Sequence, residues 1–301
     1  FATGEYPMNH ACRLTTASAV ALLLSGAAWA EGFDTSTIAV NPDLAARVPA
    51  KIREAGVLVS GTDTAYAPWE YLAGEDGQTP EGIDVDIANA ITAKWGIKFE
   101  MQTAPFDGIL PALGTKYDIG ISAFSITNER MQVVDFVSYF LSGSLWAVKT
   151  GNPTGFDPQD ICGSNLALQS GTWHMDIVQK ESAACVAAGK PEISILSFAL
   201  QTEALTRVAA GGADATISGD SQIALAAKNS EGMLETLPAY GEIGGSGLNG
   251  IAVAKSTPEL TQLIADTLNE MIADGTYAKL LAEWGLEVTI DKAEINPAID
   301  Y

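Results

Sequence analysis

The spacing of apolar residues along the chain predicts alternating helices and strands. Residues 43–56 have helical spacing and end at a glycine, and they lead into a β-rich run at 57–63 that ends in turn residues. After a polar loop, alternate apolar residues over 83–87 predict a short strand that passes into helical spacing as far as Trp95. A strand that leads into a helix in this way is typical of an α/β lobe.

The two ends of the chain show different patterns. Apolar residues over 258–285 recur with helical spacing, broken at 274–275, and predict helices that pack on the core. Residues 31–50 are assigned to an N-terminal arm, of which residues 31–42 lack clear periodicity and are predicted to be loose. Residues 287–301 are predicted to form an irregular tail on the surface.

Two internal segments resemble each other, namely FDGILPALGTKYDIGIS at 106–122 and TEALTRVAAGGADATIS at 202–218. Each combines an apolar helical face, a glycine, an aspartate and a short β run that ends in serine. The chain has 301 residues, more than one core requires, so the repeat predicts two α/β lobes of the same build. Residues at the strand ends are then candidate site residues, because ligands bind there in open α/β sheets.

The N-terminal region has the pattern of an export signal. Residues 8–30 contain one cation, Arg13, an apolar run over 17–24 and a small-x-small ending, which predicts a signal peptide cleaved before Glu31. The apolar run is too short to span a bilayer. Residues 1–7 precede a plausible initiator methionine and are interpreted as a cloning remnant or a misplaced start. A soluble protein of an exported compartment is therefore expected.

The charge balance is strongly acidic, with 16 Lys and Arg against 37 Asp and Glu, for a net charge of −21. Such a charge repels polyanions, so nucleic acid is not an expected partner. A local site can still oppose this global field. Two cysteines follow the predicted signal, Cys162 and Cys185, and in an oxidising compartment an even pair predicts a disulfide, the alternative being two buried free thiols.

Motifs for enzyme chemistry are weak. The glycine-rich stretch at 245–250 matches a dinucleotide pattern, but a β run follows it where that pattern requires a helix. His174 is the one histidine after the predicted signal, and it is interpreted as a surface or helix-start residue without a nucleophile elbow. One histidine and two cysteines are too few for a zinc site. Neither a cofactor nor a metal is predicted.

Seven segments follow one another along the chain: GTDTAYAPWEY, GIDVDIANAI, FDGILPALGTKYDIGIS, FSITNERMQVVDFVSYF, LALQSGTW, ADATISGD and DGTYAKLLAEWG. Together and in this order they resemble the polar amino-acid substrate-binding proteins of bacterial ABC importers, a periplasmic solute-binding family known as family 3. The resemblance covers roughly Leu58 to Gly285. Within the family, the chain is similar to a subgroup that has a disulfide in the second lobe.

The resemblance implies a type II two-lobe α/β fold with a two-strand hinge. Lobe 1 would comprise 51–147 and 247–301, and lobe 2 would comprise 148–246. It also implies a monomeric periplasmic receptor that closes on a free amino acid, polar or basic, and docks on an ABC permease in the inner membrane. A sensor receptor as partner and a dehydratase-like enzyme on the same fold are the alternatives.

Carried over residue by residue, the resemblance assigns the α-carboxylate of the ligand to Arg130, within SITNER. A guanidinium suits this role because its fork matches a carboxylate in two parallel hydrogen bonds. The alternative is a helix cap or a surface ion pair. Ser125 and Ser122 would hydrogen-bond the ligand, Thr172 would donate to the carboxylate, and Asp220 would receive the α-ammonium group.

The remaining assignments concern the ligand side chain. Tyr66 and Phe106 match aromatic walls. Asp63 matches an acid that meets a basic side chain in some relatives, although aspartate after a strand is also a common turn former. Trp173 replaces a smaller polar residue and either fills the pocket or stacks on the ligand. Glu70 is expected at the rim.

Overall fold

The structure is a computed structural model that describes residues 32–245 and 247–299. The predicted signal peptide at 8–30 and the extension at 1–7 lie outside the described residues. Within the part that is described, no helix is both long and apolar enough to cross a bilayer.

The described residues form strands and helices in alternation. The strands are, in chain order, β1 (Val57–Thr62), β2 (Ala65–Tyr66), β3 (Glu70–Ala73), β4 (Thr79–Glu81), β5 (Lys98–Thr103), β6 (Ile119–Gly120), β7 (Val134–Ser142), β8 (Ser144–Lys149), β9 (Asn165–Gln169), β10 (Ser194–Phe198), β11 (Ala215–Gly219), β12 (Leu234–Pro238) and β13 (Gly247–Ala254). The α-helices are α1 (Pro42–Ala46), α2 (Ala50–Ala55), α3 (Ile83–Trp95), α4 (Phe106–Ile109), α5 (Asn128–Met131), α6 (Trp173–Ala187), α7 (Gln201–Ala209), α8 (Asp220–Asn229), α9 (Pro258–Asp274) and α10 (Thr276–Glu283).

Two five-stranded mixed sheets define two lobes of the same build. The first has the order β5-β1-β6-β13-β7 and the second the order β10-β9-β11-β8-β12. In the first sheet β1 pairs in parallel with β5 and β6, and in the second β9 pairs in parallel with β10 and β11. The repeated segments supply β6 and β11, which are the third strands of the two sheets. The predicted two-lobe type II fold is thus confirmed.

Each sheet is covered by apolar side chains on both faces. In β8, Trp146 and Val148 belong to one buried cluster while Ala147 belongs to another, because alternate side chains of a strand point to opposite faces. The first sheet is covered in the same way by α3, α9 and α10 on one face and by α4 on the other. The predicted break between the last two helices is confirmed at Gly275, which has a φ of 82°.

The chain passes between the lobes twice, and both crossings contain glycine. β7 ends at Ser142 in the first sheet and β8 begins at Ser144 in the second, so one crossing lies at Gly143. The return leads from β12 into β13, which begins at Gly247, so the glycine-rich stretch opens a strand. The predicted lobe boundaries remain proposals, and the strand pairing favours a first boundary near Gly143.

One predicted strand is wrong. Residues 83–87 form the first half of α3, and the side chains of Ile83, Val85 and Ile87 are all buried. The two aspartates between them, Asp84 and Asp86, are buried as well and accept hydrogen bonds. The apparent alternation therefore reflects a helix packed on most sides and not a two-sided strand.

The N-terminal arm is packed and not loose. Asn41 caps α1 by accepting the N–H groups of Asp43 and Leu44. Phe33 and Ile38, both within the stretch predicted to be loose, pack against the core of the first lobe. In the C-terminal tail, which is irregular as predicted, Ala293 is buried, so this segment is part of the packing.

The predicted disulfide is confirmed between Cys162, which precedes β9, and Cys185 in α6. Replacing both cysteines by serine is expected to lower the free energy of unfolding by about 3 kcal/mol, because the crosslink restricts the unfolded chain. Chemical denaturation of the oxidised protein and of the double variant measures the difference. Reduced wild-type protein is the matched control and should lose the same amount. Equal stability of all three forms would contradict the expected role of the crosslink.

Candidate functional site

A cleft lies between the two lobes, at the ends of β6 and β11. One compartment of it, here the Arg130 cavity, is lined by residues of both lobes: Tyr66, Phe106, Ser122, Ala123, Ser125, Arg130, Gln169, Thr172, Trp173, His174 and Ser218. Seven of the nine ligand-binding residues predicted from the sequence are in this group. The two others, Asp63 and Asp220, are not.

Arg130 spans both lobes. Thr127 caps α5 by accepting the backbone N–H of Arg130, which fixes where the side chain starts. Its guanidinium donates to the carbonyl of Ser125 at 2.7 Å and, across the cleft, to the carbonyl of Gly171 at 2.8 Å. Desolvation lowers the pKa of Arg130 to about 10, so the group stays cationic at neutral pH. Among the described residues Arg130 forms no ion pair.

Two hydroxyl groups of the cavity are held by the protein itself. The Ser122 hydroxyl accepts the backbone N–H of Asp63 and donates to Glu70. The Thr172 hydroxyl caps α6 by accepting the N–H of Met175, and it donates to the carbonyl of Gln169. Both hydroxyls therefore fix the walls of the cavity.

Asp63 joins the lobes from a buried position behind the cavity wall. Its Oδ2 accepts from the Gln169 amide of the other lobe at 2.6 Å, and its Oδ1 accepts the N–H of Ala65. Burial raises the pKa of Asp63. The turn-forming role left open by the sequence is thus seen, together with a contact to Gln169 that the sequence did not reveal.

Asp220 is the first residue of α8 and supports the crossing between the lobes. Its Oδ2 accepts the N–H of Gly143 at 3.1 Å, and its Oδ1 accepts the N–H of Ser221. Gly143 and Gly219, its neighbours in space and sequence, line the cleft, whereas the Asp220 side chain does not.

The aromatic residues of the first lobe contact the second lobe directly. The Tyr66 hydroxyl lies 2.6 Å from the Ser218 hydroxyl and accepts the N–H of Gly219. The Trp69 indole donates to Ser221 at 2.9 Å. These contacts, with those of Arg130 and Asp63, hold the lobes together.

The remaining aromatic wall belongs to the first lobe. Phe106 stacks on Phe124 with ring centroids 4.7 Å apart, and the Arg130 guanidinium lies 5.7 Å from the Phe106 ring. A flat ligand group would be stabilised between this ring and the opposite wall.

Glu70 is buried and not at the rim, with 1% of its surface exposed. Its Oε1 accepts from Ser122 at 2.7 Å, while its Oε2 has no donor among the described residues. Burial and the nearby Asp84 raise the pKa of Glu70 well above its ordinary value, and burial raises the pKa of Asp84 to about 6. Asp84 in turn accepts from Tyr139 and from the N–H of Ala123. If Glu70 is protonated, its O–H group can donate a hydrogen bond to Asp84, and Oε2 then has a partner.

His174 is a site residue that sequence reasoning missed. It lies at the start of α6 as predicted, but it is only 8% exposed and borders the cleft. Its Nε2 lies 2.9 Å from the Ser144 hydroxyl, and the Trp173 ring meets it edge to face. Burial, with a smaller effect of the Arg130 charge, lowers the pKa of His174 to about 3, so the imidazole is neutral.

A second compartment, here the hinge cavity, adjoins the first on the side of the crossings. Its own lining residues, not shared with the Arg130 cavity, are Trp69, Ser142, Gly143, Ser144, Gly219, Gly245, Gly247 and Asn249. Among the described residues no group of three His, Cys, Asp or Glu side chains is placed to hold a metal ion.

Two α/β lobes joined by two crossings define a bilobal ligand-binding protein, and the arginine between them forms no ion pair within the described residues. The chain belongs to the bacterial extracellular solute-binding proteins, family 3, whose family model matches residues 58–287. It is 34% identical over 259 residues to the arginine-binding protein ArgT of Corynebacterium glutamicum, covering 85% of this chain and 83% of that protein.

Solved structures agree with this assignment. An ancestral arginine-binding protein bound to arginine is 32% identical with a TM-score of 0.67, covering 76% of this chain and 98% of that one. An ancestral amino acid-binding protein that is a precursor of cyclohexadienyl dehydratase is 31% identical with a TM-score of 0.65, covering 78% of this chain and 97% of that one.

Proposed function

We propose that the protein captures an amino acid between its lobes in the periplasm and delivers it to an ABC permease in the inner membrane. The observation that carries the proposal is Arg130, a half-buried cation at the strand ends of a solute-binding fold that forms no ion pair within the described residues. A ligand carboxylate would take the two guanidinium N–H groups that now donate to backbone carbonyls.

The other lining residues support this orientation. Tyr66 and Phe106 would sandwich the body of the ligand, with Trp173 on the side of the second lobe. Ser125 and Thr172 stand beside the carboxylate position. The roles proposed for Ser122 toward the ligand amine and for Asp220 toward the ammonium group rest on the family resemblance.

The side-chain preference is proposed from Asp63 and Gln169. Gln169 lines the Arg130 cavity, and Asp63 lies behind the cavity wall, where it accepts from the Gln169 amide. A cationic or polar ligand group that displaced this amide would meet the carboxylate of Asp63. This favours basic or polar amino acids, and the Corynebacterium glutamicum relative is named as an arginine-binding protein.

We further propose that the protein binds its ligand without converting it. An enzyme would require an acid or a base in the cleft. His174 is held neutral with a pKa of about 3, far from that of an efficient base at neutral pH, and Glu70 lies behind the wall and contacts Ser122.

A thermal-shift screen tests the proposed ligand class. The exported protein, unfolded and refolded to remove any bound ligand, is expected to gain about 5 °C or more in melting temperature with one or a few amino acids at about a hundredfold excess over Kd. Basic and polar amino acids should give the largest shifts. The proposal fails if no amino acid shifts the melting temperature, and the reading of Asp63 fails if only acidic amino acids do.

A further inference from the structure

The hinge cavity has no role in the function proposed above. Its volume is about 30 Å³, the same as that of the Arg130 cavity. A volume of this size has room for about two water molecules. Each compartment therefore has space for a small chemical group.

The two compartments share walls. Tyr66, Ala123, Ser125, Trp173 and His174 line both of them. A ligand in the Arg130 cavity therefore has a direct route toward the crossings.

The lining of the hinge cavity is polar but uncharged. Ser142 donates to the Asn249 amide oxygen at 2.6 Å, and Ser144 pairs with His174, which is neutral. Trp69 adds an aromatic wall. Such a lining accommodates a small group with hydrogen-bonding capacity and no charge, because a buried charge would need a partner.

Among the described residues, the walls of the two cavities present no acid to a charged ligand nitrogen. Arg130 is the one charged side chain among the described residues that line either cavity, and no carboxylate lines them. Asp220, the acid expected to meet an ammonium group, already accepts the N–H groups of Gly143 and Ser221. Because Gly143 and Gly219 line the hinge cavity, a nitrogen that points toward Asp220 also faces this cavity.

We propose that the hinge cavity is a second ligand subsite, which takes an uncharged acyl substituent on the α-nitrogen of the amino acid whose carboxylate Arg130 holds. The substrate class then includes Nα-acylated amino acids. This inference rests on the proposed function, since it uses the same Arg130 cavity for the carboxylate.

Calorimetry with matched ligand pairs tests the proposal. L-arginine and L-glutamine are compared with Nα-acetyl-L-arginine and Nα-acetyl-L-glutamine on wild-type protein, on Ser144→Val and on Ser144→Ala. Ser144 lines the hinge cavity alone and lies in β8, where valine suits the strand. Both variants lose the hydroxyl that contacts His174, and only valine fills the space.

The wild type is expected to bind at least one acetylated ligand with an affinity within about tenfold of that for the parent amino acid. Ser144→Val should lower the affinity for the acetylated ligand by about tenfold or more, because added methyl groups in a fitted pocket exclude part of the ligand. The parent on Ser144→Val, and both ligands on Ser144→Ala, should change by less than about threefold. Thermal melts of the unliganded variants show whether they are folded.

Each other outcome has a separate meaning. If the parents bind and neither acetylated form does, the subsite is refuted and the proposed function stands. If the acetylated forms bind but Ser144→Val changes their affinity no more than that of the parent amino acids, the acetyl group lies elsewhere and the subsite is again refuted. If the acetylated forms alone bind, with the expected loss in Ser144→Val, the subsite stands and capture of a free amino acid is refuted. If nothing binds, for these or for the other common amino acids, both proposals fail.

Discussion

Replacing Arg130 by alanine is expected to weaken amino-acid binding by about 30-fold or more, because a buried ligand carboxylate loses its charged partner. The guanidinium lies between Phe106 and the second lobe, where water competes poorly for the carboxylate. Isothermal titration with the amino acid that gives the largest thermal shift measures the loss. The unliganded variant should keep its cooperative melt, since α5 is capped by Thr127 and not by the side chain of Arg130.

Two further variants distinguish the effect of the guanidinium geometry of Arg130 from the effect of positive charge on ligand affinity. Arg130→Lys keeps a cation but cannot form two parallel hydrogen bonds, so its affinity should lie between those of the wild type and the alanine variant. Arg207→Ala, which removes an exposed arginine from α7, should leave affinity within about threefold. Unchanged affinity in Arg130→Ala would show that another group binds the carboxylate, and a loss in Arg207→Ala would point to a general charge effect.

Much of the architecture follows from local patterns in the sequence. The repeated segments 106–122 and 202–218 supply β6 and β11, and their final serines, Ser122 and Ser218, both line the Arg130 cavity. This succeeded because each segment is a complete helix-to-strand unit whose pattern does not depend on distant residues. The role of Arg130 was instead assigned by the family resemblance of SITNER and the other segments, because local features alone are equally typical of a helix cap or a surface ion pair.

Features that depend on contacts between distant segments could not be predicted in this way. Gln169 meets Asp63 across the cleft, and His174 meets Ser144 of the crossing strand. Neither partner is near in sequence. The acidic character of Glu70 suggested the rim, because a carboxylate is rarely buried without a partner. The partner is Asp84 in α3, a helix whose alternating pattern was taken for a strand.

Burial of Glu70 predicts a dependence of stability on pH. A raised pKa means that the folded protein holds this proton more tightly than the unfolded chain does. The stabilising contribution is therefore fully present below the ordinary pKa of 4.5, and it is lost as the pH rises through the raised value. Asp84, with its pKa raised from 3.8 to about 6, loses its own contribution between those two values, so the effect of Glu70 is best isolated above about pH 6.

Replacing Glu70 by glutamine is expected to remove the part of this loss of stability that occurs above about pH 6. Glutamine keeps an oxygen for the Ser122 hydroxyl and offers an N–H group to Asp84, and it cannot ionise. Relative to wild type, the free energy of unfolding of Glu70→Gln, measured from about pH 6 to about pH 9, should rise with pH and level off above the raised pKa of Glu70. The gain should reach at least about 1 kcal/mol, the order of the cost of a buried oxygen without a donor.

Chemical denaturation across this pH range measures the difference. Glu181→Gln, an exposed replacement of the same type on α6, should shift the curve by an amount independent of pH. Parallel curves for wild type and Glu70→Gln would show that Glu70 does not change its charge in the folded protein over this range. A variant less stable than wild type at about pH 9 would mean that the ionised carboxylate of Glu70 is itself stabilised behind the cavity wall, despite the cost of burying its charge.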